Sequence, residues 1–348
     1  MAFYDRLLAA GLLPDALIRA YVRQLCRQRV RREPPAPDRA RQLPAFLDAL
    51  ADQPIALQPA AANRQHYEVA TDFFRAVLGP HMKYSCCWWE NPATPRPAEL
   101  EAAESAMLER SCRHAGLADG QRILELGCGW GALALFMAAR YPNSAVTAVS
   151  NSNTQRAYIE AAARTRGLDN LQVRTADIND FATGERYDRI VSVEMFEHLR
   201  NWPLLLERSA GWLAPGGKLF IHIFTYDGRP YLYDAADPAD WMARNFFAGG
   251  MMPCPELLPL AAAPHFEPEQ TWRIDGRHYR QTLEAWLQGM DSRRAGLFPL
   301  FEREYGREAR KYWHHWRVFF MGCAEVFGYD GGKHWFVSHY LLKRKDRK

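Results

Sequence analysis

Long apolar runs are missing from this sequence. No stretch reaches the roughly 20 uninterrupted apolar residues that a membrane-spanning helix needs. The apolar amino terminus is broken by Asp5 and Arg6, and it lacks the small-residue cleavage pattern of a secretory signal. Hydrophobic residues make up 48% and charged residues 24% of the 348 residues, as in ordinary globular proteins. We therefore expect a cytoplasmic protein with one main core.

Cysteine pairs with metal-ligand or disulfide spacing are also missing. The seven cysteines, which include the adjacent Cys86 and Cys87, form neither pattern. This distribution fits reduced thiols in a cytoplasm, and the sequence predicts no structural metal. Internal repeats and low-complexity segments are likewise absent from the sequence.

A strong net charge is absent too. The 44 lysines and arginines exceed the 40 aspartates and glutamates by 44 − 40 = 4, too few over this length to indicate a nucleic-acid partner. Much of the excess lies in residues 19–32, which hold six arginines and no acid, and in the tail 343–348. Such runs are usually solvated or docked faces. Peripheral contact of the basic N-terminal helix with anionic lipid, and a homodimer, stay open on this reasoning.

Two proline-rich stretches divide the first third of the chain. Residues 32–37 indicate a linker, because their clustered prolines prevent the backbone from continuing a helix. This linker follows a basic helix predicted over about residues 3–31. A second turn at 91–97 precedes a helix predicted over 98–114, which is rich in Ala, Glu, Leu and Met.

Short β-rich runs alternate with helical stretches between Gln121 and Thr225. The predicted strands are 122–126, 145–149, 171–175, 190–193 and 219–224. Parallel strands need crossover helices that cover both sheet faces, so this alternation predicts a doubly wound α/β fold. The motif at 215–217, Pro-Gly-Gly, is predicted as the turn before the fifth strand, and a last strand is expected at about 335–342.

A glycine trio follows the first of these strands. Gly127, Gly129 and Gly131 stand where the chain must turn from the strand into the helix 132–140. Glycine tolerates positive φ and lets a ligand lie against the backbone at a helix N-terminus. The spacing Gly-x-Gly-x-Gly is tighter than the dinucleotide fingerprint Gly-x-Gly-x-x-Gly, which favours S-adenosylmethionine over a dinucleotide.

Polar residues after the second and third strands complete the predicted nucleoside site. A dinucleotide site would normally place an acid after the second strand, whereas this chain has Asn151 and, one turn on, Gln155. Their amides could reach ribose hydroxyls. An acid appears later, as Asp177, and its carboxylate could accept from an adenine amino group.

Several motifs together resemble a known family. They are the segment 82–89 (Met-Lys-Tyr-Ser-Cys-Cys-Trp-Trp), the glycine loop 125–131, the segment 193–198 (Val-Glu-Met-Phe-Glu-His), and 327–329 with Ser338 and His339. In combination they are similar to the plant coclaurine N-methyltransferase group of the cyclopropane-fatty-acid synthase superfamily. The resemblance runs from about His66 to Lys343.

This resemblance implies a class I, Rossmann-like methyltransferase sheet with S-adenosylmethionine as cofactor. The donor contacts that it implies are Tyr84, Ser85, Gly127, Gly129, Asn151, Gln155, Asp177 and Ile178. The predicted division of the chain is an N-terminal helical segment 1–60, a helical cap 61–120 at the donor site, a core 121–225 and 333–345, and a mostly helical acceptor-binding lid 226–332, with a core strand near 270–275 left open.

The fourth strand ends at about Val193, so Glu194, Glu197 and His198 should emerge at the carboxyl edge of the sheet, where ligands of doubly wound folds bind. Methyl transfer to an amine needs a neutral lone pair, whereas most amines are protonated near pH 7. Carboxylates can stabilise the ammonium and a histidine can accept its proton. We therefore interpret these three residues as catalytic, and in the resembling N-methyltransferases they are.

Aromatic residues of the lid could hold a small alkaloid-like amine. Trp241, Phe246 and Phe247 are candidates for cation–π contact with an ammonium group, although any single one of them could equally be a core residue.

The alternative function is cyclopropane-fatty-acyl-phospholipid synthesis. In the resembling synthases methyl transfer to the lipid alkene gives a carbocation-like species, and a bound bicarbonate takes a proton from it. The positions around that bicarbonate are occupied here by Cys86, Glu197, His222 and Tyr279. Bicarbonate is expected only under this alternative. A carboxylate at Glu194, where synthases place a small residue, favours a cationic amine over an alkene, because an unpaired buried charge is costly. A donor-binding protein without catalysis is the third interpretation.

Overall fold

The computed structural model describes residues 3–57, 71–94, 97–237 and 240–346. The start of the predicted cap (61–70, including His66), residues 95–96 of the second proline-rich turn, and the last two residues of the basic tail lie outside these ranges.

Three helices form the described N-terminal segment: α1 (Phe3–Ala10), α2 (Asp15–Arg31) and α3 (Ala36–Ala51). The prediction of one helix over 3–31 was wrong, because Gly11 takes a positive φ of 64° and Pro14 is the N-cap residue of α2. The predicted linker is also shorter than 32–37. Its last proline lies in the first turn of α3, where a backbone N–H is not needed.

The next described helices are α4 (Thr71–Val77) and α5 (Leu100–His114), the latter preceded by a 3₁₀ turn at Pro97–Glu99. Buried residues of α5, among them Met107 and Cys112, face the central sheet and the donor side of the molecule. The helix predicted over 98–114 begins as an α-helix at Leu100, two residues later than expected, because the residues before it form the 3₁₀ turn.

The parallel part of the sheet confirms the doubly wound prediction. Its strands are β1 (Arg122–Leu126), β2 (Ala145–Ser150), β3 (Leu171–Thr175), β4 (Tyr187–Val193) and β5 (Leu213–Tyr226). The crossover helices are α6 (Ala132–Arg140), α7 (Asn153–Arg166) and α8 (Trp202–Trp212). The spatial order β3-β2-β1-β4-β5 places the glycine turn after β1 near the middle of the sheet.

The strand β5 begins earlier than predicted. It starts at Leu213, so Pro-Gly-Gly at 215–217 lies within the strand, and the pairing with β4 shifts register between Tyr187 and Arg189. A positive φ of 72° at Gly216 accommodates this irregularity.

The remaining sheet strands are β8 (Phe266–Ile274) and β9 (Trp335–Arg344), which complete the order β5-β9-β8 with antiparallel pairing. A short ribbon pairs β6 (Tyr231–Leu232) with β7 (Met251–Met252). The strand left open near 270–275 is therefore a sheet strand, longer than expected.

The described helices between residues 241 and 328 are α9 (Trp241–Asn245), α10 (Leu257–Ala262), α11 (Gly276–Ser292), α12 (Arg294–Tyr305) and α13 (Ala309–Gly328). Fully buried Trp286 and Trp316 join α11 and α13 in one aromatic core. Among the helices that the structure describes, none combines the length and apolar character that crossing a bilayer requires.

Candidate active site

The glycine turn lies between β1 and α6. Gly127, Gly129 and Gly131 have φ values of 77°, 52° and 79°. A Cβ at Gly127 would lie 2.7 Å from the Met195 side chain, so glycine is required there for packing. At Gly129 a Cβ would meet no described atom within 4 Å. The chain therefore presents bare backbone toward open space at the helix N-terminus, as a ligand cradle needs.

A cavity opens over this turn. Its lining includes Tyr84, Ser85, Gly127, Gly129, Glu125 and Glu194. The structure thus brings four of the predicted donor contacts together with one predicted catalytic carboxylate.

Glu125 was not singled out from the sequence. Its side chain is buried, and Oε2 has no hydrogen-bond partner within the described parts of the chain. Burial raises the pKa of this carboxyl to about 8, against the opposing effect of the Ala134 amide. A cationic group on a bound ligand would satisfy the oxygen and restore its charge. The amino group of S-adenosylmethionine fits this requirement.

The other four predicted donor contacts lie at the ends of β2 and β3. Asn151 is exposed. Gln155 is buried: its Oε1 accepts from Ser150 Oγ at 2.7 Å, and its Nε2 has no partner in the described structure. The Asp177 carboxylate accepts the Asn179 amide at 2.8 Å.

Ile178 is a buried core residue, packed in the cluster below β1 and β4. Together with Asn151, Gln155 and Asp177 it stays a predicted donor contact. The unpartnered amide of Gln155 is the feature of this group that most resembles a ligand contact.

A second carboxylate missed by the sequence reasoning holds the segment 79–86 in place. Glu104 accepts the backbone amides of Gly79, His81 and Lys83 at 3.0–3.3 Å. The Lys83 Nζ in turn donates to Ser85 Oγ at 2.5 Å and to the Cys86 carbonyl at 2.6 Å. These contacts position the predicted donor-side residues next to the Glu194 carboxylate, although nothing in the local sequence pairs residues so far apart.

Glu194 lies immediately after β4 with a positive φ of 46°. Such a conformation costs a non-glycine residue about 1–3 kcal/mol and occurs mainly at functional sites. Its Oε1 accepts from the Cys86 amide at 2.9 Å and contacts His222 Nε2 at 3.2 Å, and its Oε2 accepts from the Tyr279 hydroxyl at 2.5 Å. Burial raises the pKa of Glu194, and Lys83 opposes that rise.

Glu197 belongs to a 3₁₀ turn at Phe196–His198. It is buried, its Oε1 accepts from the Phe224 amide at 3.2 Å, and its Oε2 has no partner in the part of the chain described. Burial, and then the neighbouring charge of Glu194, raise its pKa well above the usual range. Two carboxylates thus share a buried site, which destabilises the doubly charged state.

His198 is partly buried beside these carboxylates. Burial lowers its pKa to about 4, and Glu194 opposes the change. Its ring stacks on Phe247 with a centroid distance of 5.7 Å, so Phe247 reaches the site. Phe246 is buried and stacks on Phe319 at 4.2 Å, and Trp241 packs on Phe246. Of the three proposed cradle aromatics, Phe246 is therefore a core residue.

A glycine turn, a cavity and unpartnered buried polar atoms at the carboxyl edge of a doubly wound sheet define a Rossmann-like, S-adenosylmethionine-dependent methyltransferase. The chain belongs to the family of mycolic acid cyclopropane synthetases, whose family model matches residues 56–331. The predicted enzyme class and cofactor are confirmed.

Individual relatives within this family differ in how much of the chain they match. The chain is 36% identical to (S)-coclaurine N-methyltransferase of Thalictrum flavum subsp. glaucum, over 97% of this chain and 94% of that protein. The crystal structure of a coclaurine N-methyltransferase bound to N-methylheliamine and S-adenosylhomocysteine has a TM-score of 0.92 and 34% identity, and covers 98% of both chains. Cyclopropane-fatty-acyl-phospholipid synthase of Escherichia coli (strain K12) is 33% identical, but over 65% of this chain and 55% of that protein.

Proposed function

We propose that this enzyme methylates an amine nitrogen of a small, alkaloid-like acceptor. The observation that carries the proposal is the pair of buried carboxylates, Glu194 and Glu197, next to the donor cavity. A buried acceptor atom without a donor costs about 1–3 kcal/mol, and Glu197 Oε2 is such an atom. The N–H of a substrate ammonium would supply the missing donor.

The charge of the site also selects a cation. Burial raises the pKa of both carboxyls because their anions are poorly solvated there. A cationic acceptor offsets that penalty and favours the ionised form of the carboxyls. An uncharged acceptor offers no such compensation, so the same carboxylates would weaken its binding.

The proton of the bound ammonium must leave before its nitrogen can form a bond. Glu194 and Glu197, with raised pKa values, are the stronger proton acceptors, whereas His198, with its pKa near 4, is neutral and accepts a hydrogen bond. We therefore assign the role of base to one of the two carboxylates, and the role of orienting the substrate nitrogen to His198. S-adenosylmethionine, when bound, supplies the methyl group, and the cavity over the glycine turn would hold it beside Glu194.

The hydrogen bonds around Glu194 weigh against the lipid alternative. The Cys86 amide, His222 and the Tyr279 hydroxyl all contact the Glu194 carboxylate. These are three of the four residues that would surround bicarbonate in a synthase. The carboxylate of Glu194 therefore stands where that anion would lie, and its fixed negative charge suits an ammonium better than an alkene.

Ligand binding to the protein saturated with S-adenosylhomocysteine tests the proposal. Heliamine, the amine whose N-methyl product occupies the solved relative, is compared by calorimetry with an analogue carrying oxygen in place of the amine nitrogen. We expect the amine to bind at least about tenfold more tightly, equivalent to about 1.4 kcal/mol. Equal affinities, or no methylation of heliamine with S-adenosylmethionine, would refute amine recognition.

For the basic helix α2 we propose docking on the lid helices rather than on a membrane. Arg19 contacts Glu284 at 2.5 Å and Glu325 at 3.0 Å, and Arg23 contacts Glu325 at 2.7 Å. These arginines are therefore neutralised within the chain. We expect no flotation with anionic vesicles at physiological salt, and salt-sensitive flotation would contradict this assignment. A cytoplasmic location and a homodimer stay predictions.

A further inference from the structure

Three buried histidines extend from Glu194 through the interior of the protein. His222 Nε2 lies 3.2 Å from Glu194 Oε1, and His222 Nδ1 lies 2.9 Å from His339 Nε2. His339 Nδ1 then lies 2.9 Å from His114 Nδ1. We call this series, Glu194–His222–His339–His114, the histidine chain. Methyl transfer as described above does not require its last two members, His339 and His114.

The sheet register explains why these rings meet. His222 on β5 is paired directly with His339 on β9, and His339 is paired with Trp272 on β8. All three side chains therefore lie on one face of the sheet. Helix α5 crosses that face, and His114 in its last turn stacks on Trp272 with a centroid distance of 3.9 Å. His222 and His339 are fully buried, whereas His114 is 6% exposed.

The three rings are neutral at ordinary pH. Burial lowers the pKa of His222 and His339 well below the usual range, and that of His114 to about 4. A neutral imidazole donates from one nitrogen and accepts at the other. Each ring contacts one neighbour through one nitrogen and the other neighbour through its second nitrogen. The direction of the hydrogen bond at one end of the chain therefore determines the direction of every other hydrogen bond in it.

Two arrangements satisfy all the contacts. With Glu194 ionised, His222 donates from Nε2 to the carboxylate, His339 donates from Nε2 to His222, and His114 donates from Nδ1 to His339. With Glu194 protonated, every donor reverses, and His114 carries its proton on Nε2. The two arrangements differ by one proton, which enters or leaves at His114 Nε2 while each ring passes one proton to its neighbour.

We propose that the histidine chain is a proton relay that loads and unloads Glu194 as the cationic acceptor leaves and binds. When the ammonium binds, the Glu194 proton moves to His222 Nε2, the Nδ1 proton of His222 moves to His339, and the Nδ1 proton of His339 moves to His114, which releases its Nε2 proton. The proton that Glu194 then takes from the ammonium leaves by the same transfers once the methylated nitrogen is cationic again. Departure of that product draws one proton back through His114, so each turnover releases one net proton, as methylation of an ammonium requires. The relay rests on the proposed amine function and gives His339 and His114 positioning roles.

The charged surroundings fit a relay of neutral rings. Lys83 faces Glu194, His222 and His339, and the α5 arginines face His114 and His339. Their positive charges disfavour a protonated, cationic state of any of the three rings. The titratable and charged groups that face the chain are Lys83, Cys86, Arg110, Arg113, Glu197, His198, Tyr279 and Cys323.

Stopped-flow mixing of heliamine with the S-adenosylhomocysteine complex tests the relay. A pH indicator follows proton release while tryptophan fluorescence follows binding. The variants are His339→Gln and His114→Asn, whose amides can hydrogen-bond but cannot pass a proton. His278→Asn is the matched control, a buried histidine outside the chain that accepts the Trp89 amide through Nδ1.

In the wild type and the control we expect proton release to accompany binding. In both relay variants release should lag by about 100-fold, the lower end of the effect of losing a proton-transfer group. His114 is the farthest member from Glu194, so a merely structural role predicts a weaker effect there than at His339. Release as fast as in the wild type in the two folded variants would overturn the relay. Failure of the wild type to bind heliamine would instead refute the amine function.

A second measurement needs no acceptor. Nitrogen-15 NMR of the imidazoles in the free protein should show His222 and His339 changing together from Nδ1–H to Nε2–H tautomers as rising pH ionises Glu194. In Glu194→Gln this joint change should disappear. Independent tautomers, or a change that persists in Glu194→Gln, would overturn the relay whatever the acceptor proves to be.

Discussion

Replacing Glu194 with glutamine should separate the chemistry of the site from its folding. An amide oxygen at the Oε1 position can still accept from the Cys86 amide and His222, and an amide nitrogen at Oε2 can donate to the Tyr279 hydroxyl. All three contacts survive, so we expect a stability change below about 1 kcal/mol. The proton acceptor and its charge are lost.

Loss of such a base costs about 10²–10⁴-fold in rate, or about 3–5 kcal/mol of transition-state stabilisation. We therefore expect kcat/KM for heliamine to fall by that factor in Glu194→Gln, with an unchanged Kd for S-adenosylhomocysteine. A variant that keeps kcat/KM within tenfold of the wild type would refute the assignment of Glu194 as a base.

Glu104→Gln is the contrasting control for this experiment. The Glu104 carboxylate accepts three backbone amides, and a glutamine NH₂ would face one of those donors without an acceptor. We expect Glu104→Gln to lower the free energy of unfolding by about 1–3 kcal/mol. Thermal unfolding of both variants measures the difference, and a larger loss of stability in Glu194→Gln than in Glu104→Gln would contradict the geometry.

Three further predictions concern the donor and the N-terminal helices. If the donor's cationic amino group pairs with ionised Glu125, the raised pKa of about 8 predicts that donor affinity rises about tenfold per unit as pH increases toward 8. Calorimetry should find weaker, pH-independent binding in Glu125→Gln, and a retained pH dependence would place the titrating group elsewhere. Asp177→Ala should weaken donor binding in the same assay, and an unchanged Kd would remove Asp177 from the site. Glu325→Gln should destabilise docking of α2 by about 1–3 kcal/mol and speed proteolysis there, because Arg19 and Arg23 lose a shared partner. Equal proteolysis rates would contradict that role.

Local sequence signals predicted the central sheet well. The runs at 122–126 and 171–175 match β1 and β3 residue for residue, because buried parallel strands consist of short, continuous apolar or β-branched segments. The glycine trio likewise predicted the turn between β1 and α6, where all three residues have positive φ. In each case neighbouring residues alone determine the structure.

Features that depend on residues far apart in the chain were not predictable from local sequence. Helical composition over 3–31 hid the break at Gly11 and Pro14, and the Pro-Gly-Gly motif was assigned to a turn although β4 and β9 pair with the strand around it. Phe246 could not be told from an acceptor contact, since its stacking partner Phe319 lies far along the chain.

The electrostatics of the site were also beyond local patterns. His222 and His339 are 117 positions apart, and His339 and His114 are 225 apart. Glu104 and Glu125 carry no motif that marks them as buried. Their roles follow from the sheet register and from burial, which the sequence does not display.

The most direct test of an amine acceptor at the Glu194–Glu197 pair is a competition in one vessel. The enzyme is supplied with methyl-labelled S-adenosylmethionine, heliamine and vesicles of phospholipid with unsaturated acyl chains, and the labelled products are separated by mass spectrometry. We predict that the label is recovered as N-methylheliamine. Label in cyclopropane rings of the acyl chains, with heliamine unmodified, would contradict the assignment.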